Sequence, residues 1–433
     1  YALRAKWPEA RIVWSPVVEM TLVPALPSAL GRLLEIRASL INRMGERLCI
    51  ERGAVPAERL PILDPQAGFS RDGFHASAVG YQAWAEHLGR HTIVTGQILL
   101  TPNIKNYIVD VTCNRGRQDE TRWRYIPTVE DLGQFGLSIK VMDPDLTVLG
   151  EASTMIHVTA ADAGAGKQIS LITIGDSLTN AAYYPDEIFT LFSAEGNPTL
   201  KMIGTNKGRV EGSFHQGYGG WRWQTFCTKW DEGDDPRARS PFLRLEGDKP
   251  VLDFQNYLNQ YNDGQAPDFI TVLLGCNDTF GATEALNDAG RPGIEVAIDT
   301  MMGYADTLLA ELRKVGPNTQ IGICLLVPPA ASQDAFGSNY KCGQTRWQYR
   351  RNVQRVVERQ LEKWAGQEAQ NIFIIPANVN LDCVGGYTAA NEPTSARNEA
   401  VVARQNNGVH PGPAGYHQIA VSIYYWMKYR LAQ

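Results

Sequence analysis

Residues 171–180 combine an apolar run with a candidate nucleophile. Leu171-Ile-Thr-Ile runs directly into Gly175-Asp176-Ser177. An unbroken apolar run of this length is typical of a buried parallel strand, and a glycine lets the chain turn sharply at the end of such a strand. Open α/β sheets carry their chemistry at that edge, so we expect an exposed Ser177 hydroxyl at the start of the following helix. The alternative is that Asp176 or Ser177 only caps that helix.

Three further blocks of the sequence carry groups that could assist a serine. They are Gly217-Tyr-Gly-Gly-Trp221, Gly275-Cys-Asn-Asp278 and Asn407-Gly-Val-His-Pro411. Each follows a predicted strand or precedes a predicted helix, so a parallel sheet would bring all of them to one edge. A serine is a poor nucleophile until a base removes its proton, and the near-neutral pKa of histidine suits His410 to that task. Taken singly, His410 could be a surface histidine, the glycine pair a turn and Asn277 a helix cap.

The order Ser, Gly, Asn, His resembles the four blocks of the GDSL or SGNH family of serine hydrolases, and the resemblance covers roughly the last 265 residues. It implies a three-layer α/β/α fold with a parallel sheet, and an esterase that needs no cofactor. It also implies that Ser177 is the nucleophile and His410 the base. The oxyanion hole would consist of the Ser177 and Gly220 backbone N–H groups and the Asn277 side-chain amide. The overall layout looks like that of bacterial or phage-encoded carbohydrate esterases.

The sequence departs from the family's pattern at the third catalytic position. The family places an aspartate three residues before the histidine, whereas this chain has Asn407. An asparagine can orient an imidazole, although it stabilises the imidazolium less than a carboxylate does. Alternatively, a backbone carbonyl holds the His410 ring. Asp278 or Asp382 could replace Asn407 in principle, but no spacing favours either.

The pattern of apolar residues divides the chain into three regions. Strands alternate with helices across 168–433, which predicts a parallel sheet with helices on both faces. Residues 93–165 alternate apolar and polar positions between turn residues, which predicts a small, sandwich-like antiparallel β domain. Residues 1–92 contain two or three predicted strands and two predicted helices, too few to cover a sheet on both faces.

An internal repeat relates the amino-terminal region to the end of the chain. Asp72-Gly-Phe-His75, followed by Gly80-Tyr81, echoes Asn407–His410 followed by Gly415-Tyr416. Residues 1–92 therefore resemble a second, partial SGNH unit. We expect this unit to pack on the main body or on a second subunit, in a homo-oligomer. A bolder hypothesis is that it swaps into another molecule and supplies Asp72 and His75 there.

Composition excludes several other classes of protein. The chain has 433 residues, a formal net charge of −5 and a sequence pI of about 5.9, so neither nucleic acid nor a membrane surface is an expected partner. No apolar run approaches the roughly 20 residues that span a bilayer. The seven cysteines form no CxxC pair, and we expect no metal centre, although a Cys342–Cys383 bridge is possible. The first residue is Tyr1, and the sequence does not indicate the cellular location of the protein.

The residues around Gly220 suggest a substrate class. Trp221 and Trp223 could stack on sugar rings and Arg222 could bind a carboxylate, although both tryptophans could equally belong to the core. No apolar segment resembles the lid of a lipase. We therefore expect hydrolysis of short acyl esters, acetyl above all, on a carbohydrate. The competing hypotheses are a weakly active or inactive carbohydrate-binding protein with the same fold, and acyl transfer to a sugar.

Overall fold

The computed structural model describes residues 104–433 apart from 234, 236, 286, 288 and 289, and it describes short pieces at 13–14, 32, 38–39, 41, 43–44, 55–56 and 92–94. The chain divides into two compact units, Tyr1–Arg90 and His91–Gln433.

The described residues of the first unit include a parallel pair of short strands. Strand β1 (Val13–Trp14) pairs with β2 (Val55–Pro56). β1 lies within the strand that the sequence predicts, and the described residues between 32 and 44 are helical, as the apolar spacing predicts. Asp72 and His75 lie outside the described residues.

The second unit begins with two small antiparallel sheets. One orders its strands β3-β6-β5 and the other β4-β7-β8. Trp123, Phe135 and Leu137 form the small core of this region. The antiparallel strands predicted for residues 93–165 are confirmed, whereas a separate sandwich-like domain over these residues stays a prediction. Their bounds are β3 (Thr92–Val94), β4 (Ile108–Thr112), β5 (Arg117–Gln118), β6 (Arg122–Arg124), β7 (Gly133–Met142) and β8 (Val148–Val158).

A parallel sheet organises the rest of the unit. The central strand β9 (Gln168–Gly175) is flanked by β15 (Phe269–Leu273) on one side, and then come β16 (Gln320–Cys324) and β17 (Ile372–Ile375). On its other side β9 pairs first with β10 (Thr199–Met202) and then, at its carboxyl end, with β12 (Phe214–Gly217). The sheet continues through β11 (Asn206–Lys207), and β13 (Leu243–Glu246) and β14 (Lys249–Leu252) form a separate hairpin. All residues of β15 are buried, as expected for a strand covered on both faces.

Helices cover both faces of this sheet. On one face Trp426 of the last helix contacts Phe269 and Phe373 of the sheet, and this helix packs against the helix that contains Phe192. On the other face Val356 lies beside the end of the sheet at Gly275. The predicted three-layer α/β/α architecture is confirmed. The helices are α1 (Ser177–Asn180), α2 (Tyr183–Phe192), α3 (Trp223–Thr228), α4 (Phe254–Tyr261), α5 (Cys276–Thr279), α6 (Gly293–Arg313), α7 (Gln333–Tyr340), α8 (Arg346–Trp364), α9 (Ala377–Asn380) and α10 (Pro413–Leu431).

Two features complete the second unit. The β region is joined to α10, because Lys428 Nζ donates a hydrogen bond of 2.6 Å to the carbonyl of Ala163. An antiparallel hairpin of β18 (Ala389–Ser395) and β19 (Asn398–Gln405) precedes the loop that contains His410, and the sequence analysis did not predict it. In the described part of the chain, none of the helices combines the length and apolar character needed to cross a membrane.

Candidate active site

Ser177 lies where the central strand turns into a helix. Strand β9 ends at Gly175, and Ser177 is the first residue of α1. A Cβ atom at position 175 would overlap Thr179 Oγ1 and lie 2.9 Å from the carbonyl oxygen of Leu273, so only glycine fits there. Asp176 caps the helix, since its Oδ1 accepts the N–H of Leu178 at 3.0 Å. The cap expected from the sequence is thus formed by Asp176, and the adjacent Ser177 is half-buried rather than fully exposed.

The imidazole of His410 lies beside the Ser177 hydroxyl. His410 Nε2 and Ser177 Oγ are 2.8 Å apart, which is hydrogen-bonding distance. Burial lowers the pKa of His410 below its usual 6.5. The ring is therefore neutral at pH 7, and the neutral ring is the form that can accept a proton from the serine.

Asn407 contacts the backbone of the His410 loop and not the His410 ring. Its Oδ1 accepts the backbone N–H of His410 at 2.9 Å and that of Val409 at 3.2 Å. Within the described part of the chain, no group forms a hydrogen bond with His410 Nδ1. The expected contact from the ring to Asn407 is thus not formed, because the amide oxygen is already used as an Asx-type cap of the loop. Asn407 shapes the loop that presents the histidine.

The two aspartates considered as substitutes for Asn407 point elsewhere. Asp382 Oδ1 accepts the N–H groups of Val384 and Gly385 at 2.8 and 3.1 Å, and its Oδ2 lies 3.7 Å from a guanidinium nitrogen of Arg122. Asp278 Oδ2 is buried and has no hydrogen-bond partner among the described residues. Burial raises the pKa of Asp278 to about 7. Neither carboxyl forms an ion pair with His410 in the described structure.

Two backbone N–H groups and one amide could stabilise an oxyanion. Ser177 N–H belongs to the first turn of α1, and Gly220 is exposed with φ at +80°, a left-handed conformation that favours glycine. Among the described residues, neither N–H has a hydrogen-bond acceptor. Asn277 Nδ2 donates to the Trp221 carbonyl at 3.0 Å, which ties the amide to the Gly220 loop. Their shared role as an oxyanion hole stays a prediction. The second N–H of the Asn277 amide donates to Asp176 Oδ2 at 3.3 Å and would have to exchange that acceptor for the oxyanion.

A buried carboxyl links the serine and asparagine blocks. Asp176 Oδ2 accepts from Cys276 Sγ at 2.9 Å and from Asn277 Nδ2 at 3.3 Å. Burial raises the pKa of Asp176 to about 6, and the hydrogen bonds from Cys276 and Leu178 oppose that rise. Sequence reasoning missed this role of Asp176 in positioning Asn277. Local sequence gives no signal for this contact, because it depends on the pairing of β9 with β15, which brings the carboxyl ends of the two strands together.

The tryptophans near Gly220 belong to the core. Trp223 is fully buried against Trp364, and Trp221 is stacked on Tyr218 with ring centroids 4.0 Å apart. The prediction that these rings bind sugar is wrong, because neither presents a face to solvent. Arg222 is exposed, and its binding of substrate stays a prediction.

Neither a metal centre nor a disulfide is formed by the described residues. These residues contain no group of three or more His, Cys, Asp or Glu side chains that could hold a metal ion. No disulfide joins Cys342 and Cys383, so the bridge considered from the sequence is not formed.

The model of the GDSL-like Lipase/Acylhydrolase family matches residues 171–423. Among solved structures, the Clostridium thermocellum family 3 carbohydrate esterase is 17% identical, with a TM-score of 0.34 over 62% of this chain and 100% of that one. A family 3 carbohydrate esterase from Talaromyces cellulolyticus is 14% identical, with a TM-score of 0.35 over 61% of this chain and 98% of that one. No curated protein matches the chain. The family match spans more than half of the sequence and includes all four blocks, so the chain belongs to the GDSL-like lipase/acylhydrolase family and is a carboxylic ester hydrolase.

Proposed function

We propose that the protein is a serine esterase that removes short acyl groups, acetyl above all, from a carbohydrate. The observation that carries this proposal is the 2.8 Å distance between Ser177 Oγ and His410 Nε2. A neutral imidazole at that distance can take the hydroxyl proton as the serine attacks a carbonyl carbon.

The remaining steps follow from the same groups. As the Ser177 Oγ–C bond forms, the carbonyl oxygen gains negative charge that the Ser177 and Gly220 N–H groups and the Asn277 amide stabilise. The tetrahedral intermediate collapses, the C–O bond to the alcohol breaks, and the His410 imidazolium returns its proton to the leaving alcohol. Water then repeats the sequence on the acyl-enzyme, releasing the acid and restoring the serine.

The surroundings of the Gly219-Gly220 loop favour a short acyl group and a polar alcohol. Beneath the loop, Tyr218, Trp221 and Phe226 pack on one another and fill the interior. On its open side the loop is bordered by the exposed arginines 222 and 237. A long acyl chain would find little apolar surface there, whereas a hydroxyl-rich sugar suits such a rim.

The test is turnover of p-nitrophenyl esters from acetate to octanoate by four proteins: wild type and the Ser177→Ala, His410→Ala and His75→Ala variants. We expect activity to fall steeply with chain length and to be lost in the first two variants. His75→Ala is the matched histidine control and should keep wild-type activity. Preference for octanoate would overturn the acyl assignment, and loss of turnover only with His75→Ala would overturn the assignment of the base.

One observation favours a second candidate, a carbohydrate-binding protein of weak or absent activity. Among the described residues His410 Nδ1 has no acceptor, so its imidazolium lacks the carboxylate partner found in a full triad. A fluorophosphonate probe separates the two candidates. Covalent labelling at Ser177 supports the esterase, and an unreactive Ser177 in folded protein supports the binding protein.

A further inference from the structure

The guanidinium of Arg237 lies beside the loop that forms the oxyanion hole. Arg237 Nη2 donates to the carbonyl of Gly219 at 3.1 Å. A carbon atom placed on the open side of Gly219, where a Cβ would be, lies 3.7 Å from Arg237 Nη2 and 4.0 Å from Ser177 Cβ. Arg237 Nη2 and Ser177 Cβ are therefore less than 8 Å apart, so a ligand of the size of one sugar can reach both residues.

Arg237 has unused capacity to bind an anion. The Gly219 carbonyl is neutral and takes one of the five N–H groups of the guanidinium. Asp235, the nearby acid, uses Oδ1 to accept the backbone N–H of Arg237 at 2.8 Å. In the described structure the Arg237 side chain forms no ion pair. Its charge is thus available to a ligand on the open side of the loop.

A second arginine borders the same loop. Arg222 follows Gly220 by two residues, is exposed and forms no ion pair within the described residues. Its charge opposes the rise in the pKa of Asp278, which places it on the side of Asn277 and Asp278. Two exposed guanidinium groups beside one catalytic loop, neither in an ion pair with a described carboxylate, stand out in a chain whose formal net charge is −5.

We propose that the esterase is selective for O-acylated acidic sugars, and that Arg237 and Arg222 bind the sugar carboxylate. This inference rests on the proposed function and specifies its substrate class. The planar fork of a guanidinium matches the two oxygens of a carboxylate, which a lysine or a neutral amide does not reproduce. The carboxylate of the sugar would lie over Gly219 while its acyl ester reaches Ser177 a few bonds away.

The experiment compares two O-acetylated probes that differ in one group, methyl glucuronoside and its uronamide. We expect kcat/KM of the wild type to be about tenfold higher on the uronate, the size typical of hydrogen bonds to a charged group. Arg237→Gln should bring the ratio of kcat/KM between the uronate and the uronamide close to one, and Arg222→Gln should lower this ratio in part. Added salt should weaken the preference, since it screens exposed charges. Arg237→Lys should restore it only partly.

Arg313→Gln is the matched control. Arg313 is an exposed arginine at the end of α6, on the opposite edge of the sheet from the catalytic loop. Arg313→Gln changes the net charge by the same amount as Arg237→Gln. Equal kcat/KM on the two probes in the wild type, or equal effects of Arg237→Gln on both, would overturn the proposal while leaving the esterase function intact. Absence of turnover on both probes and on p-nitrophenyl acetate would instead overturn the proposed function.

Discussion

The side chain of Asn407 holds the backbone of His410, with Oδ1 2.9 Å from the histidine N–H. Asn407→Ala removes an acceptor for two N–H groups, so we expect a loss of about 1 kcal/mol in stability and a lower kcat as the imidazole loses its fixed position. Steady-state kinetics together with thermal unfolding would measure both effects. Unchanged turnover in Asn407→Ala would show that the residue has no positioning role.

Asn407→Asp keeps the acceptor and adds a negative charge near the ring. Burial lowers the pKa of His410 in the wild type, so the fall of kcat/KM at acid pH should lie below pH 6.5. A carboxylate at 407 favours the imidazolium and raises that pKa, which moves the acid limb of the profile to higher pH. Activity at pH 8 should be equal or higher, because the imidazolium formed in the reaction is better stabilised. A pH profile that coincides with that of the wild type would contradict this prediction.

Asn277 should matter to kcat more than to KM. Its amide is held against the Trp221 carbonyl at 3.0 Å, at the edge of the Gly220 loop. Loss of one oxyanion donor typically costs about 10²–10³ in turnover, and we expect Asn277→Ala to fall in that range. The measurement is kcat and KM on p-nitrophenyl acetate, with circular dichroism as a check of folding. A change confined to KM would indicate a role in binding the ground state only.

Cys276 should affect the stability of the protein through its hydrogen bond to Asp176. Its thiol donates to Asp176 Oδ2, a bond that lowers a carboxyl pKa which burial raises to about 6. The pKa of Asp176 is higher in the folded protein than its ordinary value of 3.8 in the unfolded chain. The protonated carboxyl therefore stabilises the fold below pH 3.8, and this stabilisation is lost as the pH rises through about 6. Cys276→Ala raises the folded pKa further, so its deficit in Tm relative to the wild type should grow between pH 4 and pH 8.

Cys276→Ser is the control for this prediction, because the serine hydroxyl keeps a donor at the same place. We expect its Tm to show the pH dependence of the wild type. An equal pH dependence in the alanine and serine variants would contradict a role for the thiol as donor.

The parallel strands of the second unit, and the edge of the sheet at which their carboxyl ends meet, are predicted well from the sequence. The apolar runs at β9, β15 and β17 are long and uninterrupted, so burial on both faces leaves little choice of structure. Because the carboxyl ends of parallel strands meet, the blocks of Ser177 and Asn277 are predicted to lie at one edge of the sheet. His410 follows a separate hairpin, and its place beside Ser177 was expected from the resemblance to the family.

Features that depend on three-dimensional packing could not be predicted in the same way. Trp223 is buried because it packs on Trp364, a residue of α8 far along the chain. The sequence around Trp223 gives no sign of this contact. The bond from Asp176 to Cys276 requires the lateral register of two strands. The hairpin of β18 and β19 is mostly exposed on both faces, so it lacks the apolar alternation that identifies a half-buried strand.

Asp278 should limit stability at alkaline pH. Its Oδ2 is buried without a partner among the described residues, and burial raises its pKa to about 7 from 3.8. At low pH the carboxyl of Asp278 is protonated and neutral, and the folded protein keeps its full stability. As the pH rises through about 7 the buried carboxyl ionises and this stability is lost. Asp278→Asn removes the charge and keeps the acceptor that faces the backbone of Trp223. We therefore expect its Tm to exceed that of the wild type by a few degrees at pH 8.5, and by much less at pH 4.

The control for Asp278→Asn is Asp248→Asn, at an exposed position in the turn between β13 and β14. That substitution changes the net charge equally but relieves no burial, so its effect on Tm should be small at both pH values. Scanning calorimetry of the three proteins at the two pH values provides the comparison. If Asp278→Asn shifts Tm equally at both pH values, the substitution acts through packing. Ionisation of the Asp278 carboxyl would then not destabilise the folded protein.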